Sequence, residues 1–474
     1  MTNLKKILIL LIVVFAMSNL FAQQKNVLVV IVDDLGYHDL SSKGSQLYET
    51  PNIDALSKQG IDFSNAYVSH PRCLPSRYGL QTSNYPGAHG VPGGGDVGKI
   101  MDNDITIGQV FKNNGYETFF AGKWHLGKTE QYWPQNRGYD INIAGCAAGA
   151  PQSYFYPYNT PRKAKNDNSK KKTKNKGHGE IVGLEEGEPG EYITDRLTDE
   201  TITFLKKEHK KPFFAILNHY GVHTPLEAPK EMVKKYRKKL KGISFVGPEF
   251  VDKDGQTKQH QDNAVYAAMI ESVDNSLGKL IQTLKEEGLY ENTIIVFSSD
   301  HGGLSNRGLG NKRQIATSNL PLRAGKGHLY EGGIKVPFII GGSITSDSHV
   351  CNEITSNIDL MPTLVDLCEL EQPKKKVDGV SLVKYINSDS TSERTLFWHS
   401  PRARQKSTGD NYCTVVRVGN YKLFDYYKEN RVELYNLIDD PFETNNIADS
   451  NKELAAELKS KIRVWKKEVI TSVR

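Results

Sequence analysis

Asn26-Val27-Leu28-Val29-Val30-Ile31-Val32 is followed at once by Asp33-Asp34-Leu35-Gly36. An unbroken apolar run rich in β-branched residues, with no polar alternation, reads as a strand covered on both faces. That is the pattern of a parallel sheet. Open α/β sheets gather ligands beyond the carboxyl ends of their strands, which is where the two carboxylates fall. One Asp at such a point reads as a helix N-cap. Two in succession call for a counter-charge, because adjacent like charges oppose each other's ionisation.

The pattern recurs downstream. Residues 292–297 form a second buried-type run that ends in Ser299-Asp300-His301-Gly302-Gly303. Residues 116–121 lead into Gly122-Lys123-Trp124-His125-Leu126-Gly127, and residues 212–218 into His219-Tyr220-Gly221-Val222-His223-Thr224-Pro225. Helices separate these strands. Residues 50–60 have Thr50 as cap, Pro51 in the first turn and Gly60 as stop. Others fall at 105–114, 192–208 and 231–241. In 264–287, Val265, Met269, Val273, Leu277, Leu280, Ile281 and Leu284 share one face. Strands alternating with helices predict an α/β fold, a mainly parallel sheet sandwiched by helices. After about residue 370 short strands at 395–399, 413–418, 421–424 and 433–436 follow without helices between them, then a helix at 452–469. They predict a small C-terminal antiparallel α+β subdomain.

Residues 1–22 read as a secretory signal. Lys5 and Lys6 precede an apolar stretch at 7–17, and Phe21-Ala22 precedes Gln23. No Cys stands at the cleavage point, which argues against a lipid anchor, and no later stretch is apolar enough to span a bilayer. The expected protein is exported, periplasmic or secreted, without stable membrane insertion. The expected division is a catalytic domain at 23–370, containing a long loop at 157–191, and a C-terminal subdomain at 371–474.

The formal charge of +6 is local. Arg162 and Lys163, Lys165, Lys170, Lys171, Lys172, Lys174 and Lys176 face only Asp167 within residues 161–176. This is one basic loop, either solvated or an attractor of polyanions. No nucleic-acid-binding motif accompanies it, so nucleic acid is not the expected partner. Five cysteines in an exported chain leave at least one unpaired. Their spacing fits no zinc motif, and pairing of Cys351 with Cys368 stays open.

One of those cysteines lies in His70-Pro71-Arg72-Cys73-Leu74-Pro75-Ser76-Arg77, ahead of a segment, 78–95, that reads as exposed loop. By itself the thiol could be a nucleophile, a metal ligand or a core residue. Its company narrows the choice. The strand-end groups Asp33, Asp34, Lys123, His125, His223, Asp300 and His301 share one sheet edge. Three carboxylates with a further ligand suit a hard divalent cation, Ca²⁺ or Mg²⁺. Lys, His and Arg beside them suit a tetrahedral oxyanion ester. The residues therefore point to a metal-dependent hydrolase of an anionic ester.

At this point the chain resembles the type I sulfatases of the alkaline-phosphatase-like superfamily, and among them exported bacterial polysaccharide sulfatases. Cys73-x-Pro75-x-Arg77 resembles the signature in which Cys becomes Cα-formylglycine. Gly115-Tyr116-x-Thr118 through Gly122-Lys123-Trp124-His125 resembles the second signature. Gly325-Lys326 with Tyr330-Glu331-Gly332-Gly333-Ile334-Lys335-Val336-Pro337 resembles a third block. Glu433-Leu434-Tyr435-Asn436-Leu437 with Asp440-Pro441 and Glu443-Thr444-Asn445 resembles the family's ending. Arg72 and Leu74 depart from the small residues usual beside the Cys, and Gln81-Thr82-Ser83 stands where the signature ends in Gly.

The resemblance implies Ca²⁺ held by Asp33, Asp34, Asp300 and His301 with modified Cys73. It implies Arg77 and Lys123 on the diol and the sulfate oxygens, His125 as the proton partner, and His223 and Lys326 on the leaving alcohol. His223 rather than His219 fits the family's His-x-Pro setting. Arg323 is expected among the substrate contacts, with His70, Arg72 and His328 either joining it or serving ordinary surface roles. The implied partners are a sulfated oligo- or polysaccharide, such as ulvan or carrageenan, and transiently a formylglycine-generating maturation enzyme. Residues 142–158, with Gly145-Cys146-Ala147-Ala148-Gly149 and Ser153-Tyr154-Phe155, offer aromatic surface for sugar. Two further readings stay open: a phosphonate or phosphate ester hydrolase of the same superfamily, and an exported sulfoglycan-binding protein without turnover.

Overall fold

In chain order the strands are β1 (Asn26–Val32), β2 (Ile61–Tyr67), β3 (Glu117–Gly122), β4 (Ile141–Ile143), β5 (Phe213–Asn218), β6 (Phe250–Asp252), β7 (Gln256–Lys258) and β8 (Thr293–Ser299). They continue with β9 (Asn306–Arg307), β10 (Phe338–Gly342), β11 (His349–Ser356), β12 (Thr395–Ser400), β13 (Cys413–Val418), β14 (Tyr421–Tyr426) and β15 (Arg431–Asn436). The structure, a computed structural model, describes residues 24–91, 95–160, 179–310, 312–344, 347–387 and 394–472. The expected signal at 1–22 and the basic run at 162–176 lie outside the described residues.

β1 is buried along its whole length and pairs in parallel with β5 and β8. It sits inside an eight-stranded sheet of order β11-β2-β10-β8-β1-β5-β3-β4. All neighbours are parallel except β10, which runs antiparallel to both β2 and β8. Alternate residues of β1 feed two separate cores. Leu28, Val30 and Val32 pack with helices α1 (Pro51–Gln59) and, later in the chain, residues 193–205 and 264–286. Val27, Val29 and Ile31 pack with α2 (Cys73–Thr82), α3 (Ile107–Asn113) and the helix at 360–367. Burial of both faces explains the absence of alternation in the sequence.

α1 has the expected bounds but a different cap. The Thr50 hydroxyl donates to Asp54 Oδ1 (3.0 Å) and accepts the Ser41 N–H (2.9 Å). The free N–H groups of Asn52 and Ile53 instead donate to Asp274 Oδ1, at 3.0 and 2.9 Å, from the long helix at 264–286. A tertiary carboxylate thus serves the helix end that the hydroxyl leaves open. The reading of residues 78–95 as exposed loop is corrected in its first part. Tyr78 to Thr82 complete α2, and every residue of that helix is buried. A helix buried all round has no amphipathic period to betray it.

The last four strands, β12 to β15, form a separate antiparallel sheet in sequential order, and the helix Lys452–Ser472 packs on it. Buried Lys422 joins this sheet to the rest. Its ammonium donates to Glu331 Oε1 and Glu443 Oε1, both at 2.8 Å. Tyr67 OH donates to Glu331 Oε2 (2.7 Å), Arg417 reaches Tyr67 OH, and the Glu331 N–H donates to Glu443 Oε2 (2.7 Å). Trp398 Nε1 donates to Val68 O (2.7 Å) across the same seam. The short sheet β6-β7-β9 lies apart from both.

Candidate active site

Backbone pairing runs past the strand ends and lays the floor of the site. The Asp33 N–H donates to Gly221 O (2.9 Å), Val222 N–H to Asp33 O (2.7 Å), Asp300 N–H to Val32 O (3.0 Å) and Lys123 N–H to Asn218 O (2.8 Å). These bonds carry the strand register one residue further and bring the strand-end charges together. The turn into Lys123 requires Gly122. Its φ is +91°, and a Cβ there would lie 2.0 Å from Asn218 O.

Cys73 is the first residue of α2. Its Sγ lies 3.0 Å from His301 Nε2 and also bonds the His125 ring. Gly149 makes room for that ring, since a Cβ would stand 2.8 Å from His125 Nε2. Burial pushes the Cys73 thiol up, but Lys123, Lys326 and His301 outweigh it and hold the group well below its usual range. Arg77 follows four residues on, the spacing that places two side chains on one helix face. Its Nε donates to Asp300 Oδ2 and its Nη1 to Lys123 O, both at 2.9 Å.

Each carboxylate holds a cation. Asp33 pairs with Lys123, Asp300 with Arg77, and Asp34 with Lys326 Nζ at 2.6 and 2.9 Å. Asp34 reaches Lys326 from a left-handed backbone, φ 65°. Burial and the neighbouring Asp33 push Asp300 up. Asp33 itself is pushed up by burial but drawn below its usual range by Lys123, with His223 and Arg77. Burial would lower His301, yet Asp300, Cys73 and Asp34 raise it to about 9. His223 goes the other way, to about 4, through burial and the Lys326 charge. Its Nδ1 lies 2.6 Å from Thr224 O, so the hydrogen sits on Nδ1 and Nε2 faces Asp34 Oδ2 at 3.9 Å.

The donor set fits a divalent cation. Asp33, Cys73, Asp300 and His301 each offer an atom within 4.8 Å of the others, as do Asp33, Asp34, Cys73 and His223. Oxygen ligands about 2.3–2.6 Å from a calcium ion lie at most about 5 Å apart. Asp33 Oδ1 is buried without a hydrogen-bond partner, an acceptor left open within that donor set.

Above the floor opens a pocket of about 320 Å³, lined among others by Cys73, His125, His223 and Lys326. The expected residues are therefore brought together, with one exception. Arg323 does not line the pocket. Its Nε and Nη2 are bound to Asp254 (2.6 and 2.8 Å), its Nη1 to Tyr435 OH and Glu443 O, and its guanidinium lies 3.7 Å from the Tyr330 ring centroid. It ties the central and C-terminal parts together. His219 is buried against Ser276 (3.1 Å), away from the pocket. His70 and His328 are buried as well, and His328 Nε2 meets Thr408 O at 2.8 Å. Arg313 and Arg404 line the pocket and were not singled out in the sequence. The clue was the basic cluster Arg402, Arg404 and Lys406 between two short strands. The five cysteines, Cys351 and Cys368 included, are all buried and none is joined in a disulfide. Among the described residues no helix is long and apolar enough to cross a membrane.

Residues 25–370 match the sulfatase family, and residues 324–468 match the C-terminal region described for N-sulphoglucosamine sulphohydrolase. A sulfatase of Formosa agariphila is 29% identical, over 94% of this chain and 89% of its own. Mouse N-acetylgalactosamine-6-sulfatase is 27% identical, over 87% of this chain and 75% of its own. The crystal structure of Ps i-CgsB in complex with k-i-k-neocarrahexaose is 28% identical and superposes with a TM-score of 0.72, covering 94% of this chain and 93% of that one.

Proposed function

This chain belongs to the sulfatase family and is a sulfuric ester hydrolase, and from that premise we propose that it removes sulfate from a sulfated oligo- or polysaccharide. The observation that carries the reading is the convergence on Cys73, beneath an open pocket, of three carboxylates, Arg77, Lys123 and Lys326. The carbohydrate part is supported by the neocarrahexaose complex of the similar Ps i-CgsB. We place the protein outside the cytoplasm on the strength of residues 1–22.

In this reading a maturation enzyme oxidises Cys73 to the aldehyde Cα-formylglycine, which adds water to become a geminal diol. Asp33, Asp34, Asp300 and His301, with residue 73, would hold Ca²⁺. When bound, that ion supplies Lewis acidity and neutralises charge on oxygen. Arg77, at the same helix face, orients residue 73. One diol hydroxyl attacks sulfur, and the bond from sulfur to the sugar oxygen breaks. Lys123 and Lys326 offset charge on the sulfate oxygens. Lys326, kept protonated by Asp34, and His223 serve the departing alkoxide. His223 is neutral by itself, and the negative charge of a bound ester favours the protonated form it needs as an acid. The second hydroxyl then loses its proton to His125, whose ring is held neutral by burial and Lys123. The aldehyde re-forms, sulfate leaves, and water restores the diol.

Mass spectrometry of the peptide containing Cys73, from a host with the maturase, tests the first step. Conversion lowers its mass by roughly 18 Da relative to the thiol form. Sulfate release from a panel of sulfated oligosaccharides with Ca²⁺, Cys73→Ala serving as blank, tests the rest. An unconverted Cys73 with no sulfate released would refute the reading.

A further inference from the structure

Two chain segments that line the pocket are tied to each other behind it. One is residues 144–154, where Gly149 and Ala150 face the pocket, and the other is the turn that carries His223. The ties are two buried phenols. Tyr220 OH donates to Ala144 O (3.1 Å). Tyr154 OH lies 2.6 Å from Tyr220 O and 2.7 Å from His223 O, the two ends of the His223 turn. Tyr154 is fully buried, so it offers no surface to a sugar, and its hydroxyl acts inside the protein. A single hydrogen there holds together two carbonyl oxygens whose dipoles would otherwise repel.

The turn and the seat of the phenol are both fixed. Asp33 takes the middle of the turn through its backbone bonds to Gly221 and Val222, and the His223 N–H donates to Tyr220 O (3.2 Å). On the far side Glu227 Oε2 accepts the Tyr154 N–H (2.7 Å) and the Ser153 hydroxyl (3.0 Å). The Ile193 N–H donates to Tyr154 O (2.8 Å), and the Tyr192 ring stacks on that of Tyr154 with centroids 5.9 Å apart. The His223 ring takes its direction from this backbone, since its Nδ1 bonds Thr224 O, one residue on.

We propose that Tyr154 is a positioning residue for the departing alcohol: its hydroxyl sets the backbone of the His223 turn so that Nε2 meets the ester oxygen. This deepens, and rests on, the reading of His223 as the group that serves the alkoxide. An error of about 1 Å in such a placement can cost about 10²-fold in rate. The effect belongs to proton delivery and not to the attack by residue 73. Proton delivery matters for an alcohol or a phenol that departs badly, and hardly at all for 4-nitrophenoxide, which departs without a proton.

Turnover of 4-nitrophenyl sulfate, phenyl sulfate and the oligosaccharide panel is compared on the matured full-length protein. Tyr154→Phe should lower turnover of phenyl sulfate at least about tenfold more than that of 4-nitrophenyl sulfate, with KM held within about threefold. Replacing Tyr154 with p-aminophenylalanine, which has an N–H for each carbonyl, should restore most of the loss. On a His223→Gln background, Tyr154→Phe should change turnover by less than about twofold. Glu227→Ala loosens the seat of the ring and keeps the phenol. It should show the same leaving-group pattern at about threefold or more, so a Tyr154 variant that fails to fold leaves this one to decide. Equal losses on the two aryl esters, or none, overturn the proposal, as do losses that multiply with His223→Gln. Where the aryl esters are not turned over, that cycle decides on the oligosaccharides. Absence of sulfate release from every ester removes the catalytic reading and this inference together, whereas an active wild type with an overturning result removes this inference alone.

Discussion

Two buried charge clusters lie at opposite duties in this molecule. The seam cluster sets Lys422 between Glu331 and Glu443, with Tyr67 and Arg417 closing the ring. Every carboxylate oxygen there accepts at least one hydrogen bond, from Lys422, Tyr67 or the Glu331 N–H. The cluster around Cys73 has more ion pairs, yet Asp33 Oδ1 and Arg77 Nη2 are buried without hydrogen bonds, 3.8 Å apart. Both clusters are desolvated, and completeness separates them. A network that satisfies itself holds two sheets together, whereas one with atoms left over is arranged for something that arrives.

The largest effects should test the incomplete cluster. Cys73→Ala should lower sulfate release by about 10⁴-fold or more, since it removes the attacking group. Treatment with a chelator should lower it by about 10²-fold or more, with recovery on adding Ca²⁺. Neither should move the seam. An unchanged rate in either case would erase the distinction drawn between the clusters. The seam answers to stability instead. Lys422→Met strands two buried carboxylates and should cost about 3–5 kcal/mol in urea unfolding. Adding Glu331→Gln and Glu443→Gln should recover most of that loss, because the charges there serve only each other.

A smaller effect probes buried His219, outside both clusters. Burial holds folded His219 near pKa 3, below its unfolded value of about 6.5. Between those values the unfolded chain binds the extra proton. This contribution to stability is complete above pH 6.5 and declines as pH falls. At pH 5 it should be about 2 kcal/mol lower than at pH 8, and His219→Gln should flatten that slope in denaturant titrations. The smallest concerns the end of α2. Ser83 stands there at φ 56° with a buried hydroxyl that has no partner. Ser83→Gly should raise stability by about 1 kcal/mol, as glycine enters the left-handed region freely.

The central strands and their terminal charges were legible because β1 and β8 are continuous apolar runs that stop at an acid. Parallel pairing then does the gathering, so Asp33, Lys123, His223 and Asp300 needed no long-range guess. β10 was not legible. Phe338–Gly342 is short, follows a proline and ends in two glycines, and its antiparallel insertion depends on β2 and β8. Arg323 and Arg404 mark the limit most plainly. Both are arginines beside motif residues or short strands, and nothing local says which one faces the pocket. Asp254, Tyr435 and Glu443 decide it for Arg323, and those partners come from distant parts of the chain. The family's signature glycine likewise had a hidden reason, the left-handed helix end that Ser83 now occupies.

The turn carrying Arg404 also has a meaning in time. Arg72 and Asp410, the pair that bolts it to the catalytic floor, are 338 positions apart. During synthesis the reactive cysteine, its carboxylates and its lysines all emerge before this wall exists. A chain cut short near residue 400 would carry the chemistry without its outer rim and without Lys422 at the seam. This rim of the pocket is thus the last part the nascent protein acquires, and it arrives together with the lock that closes the fold.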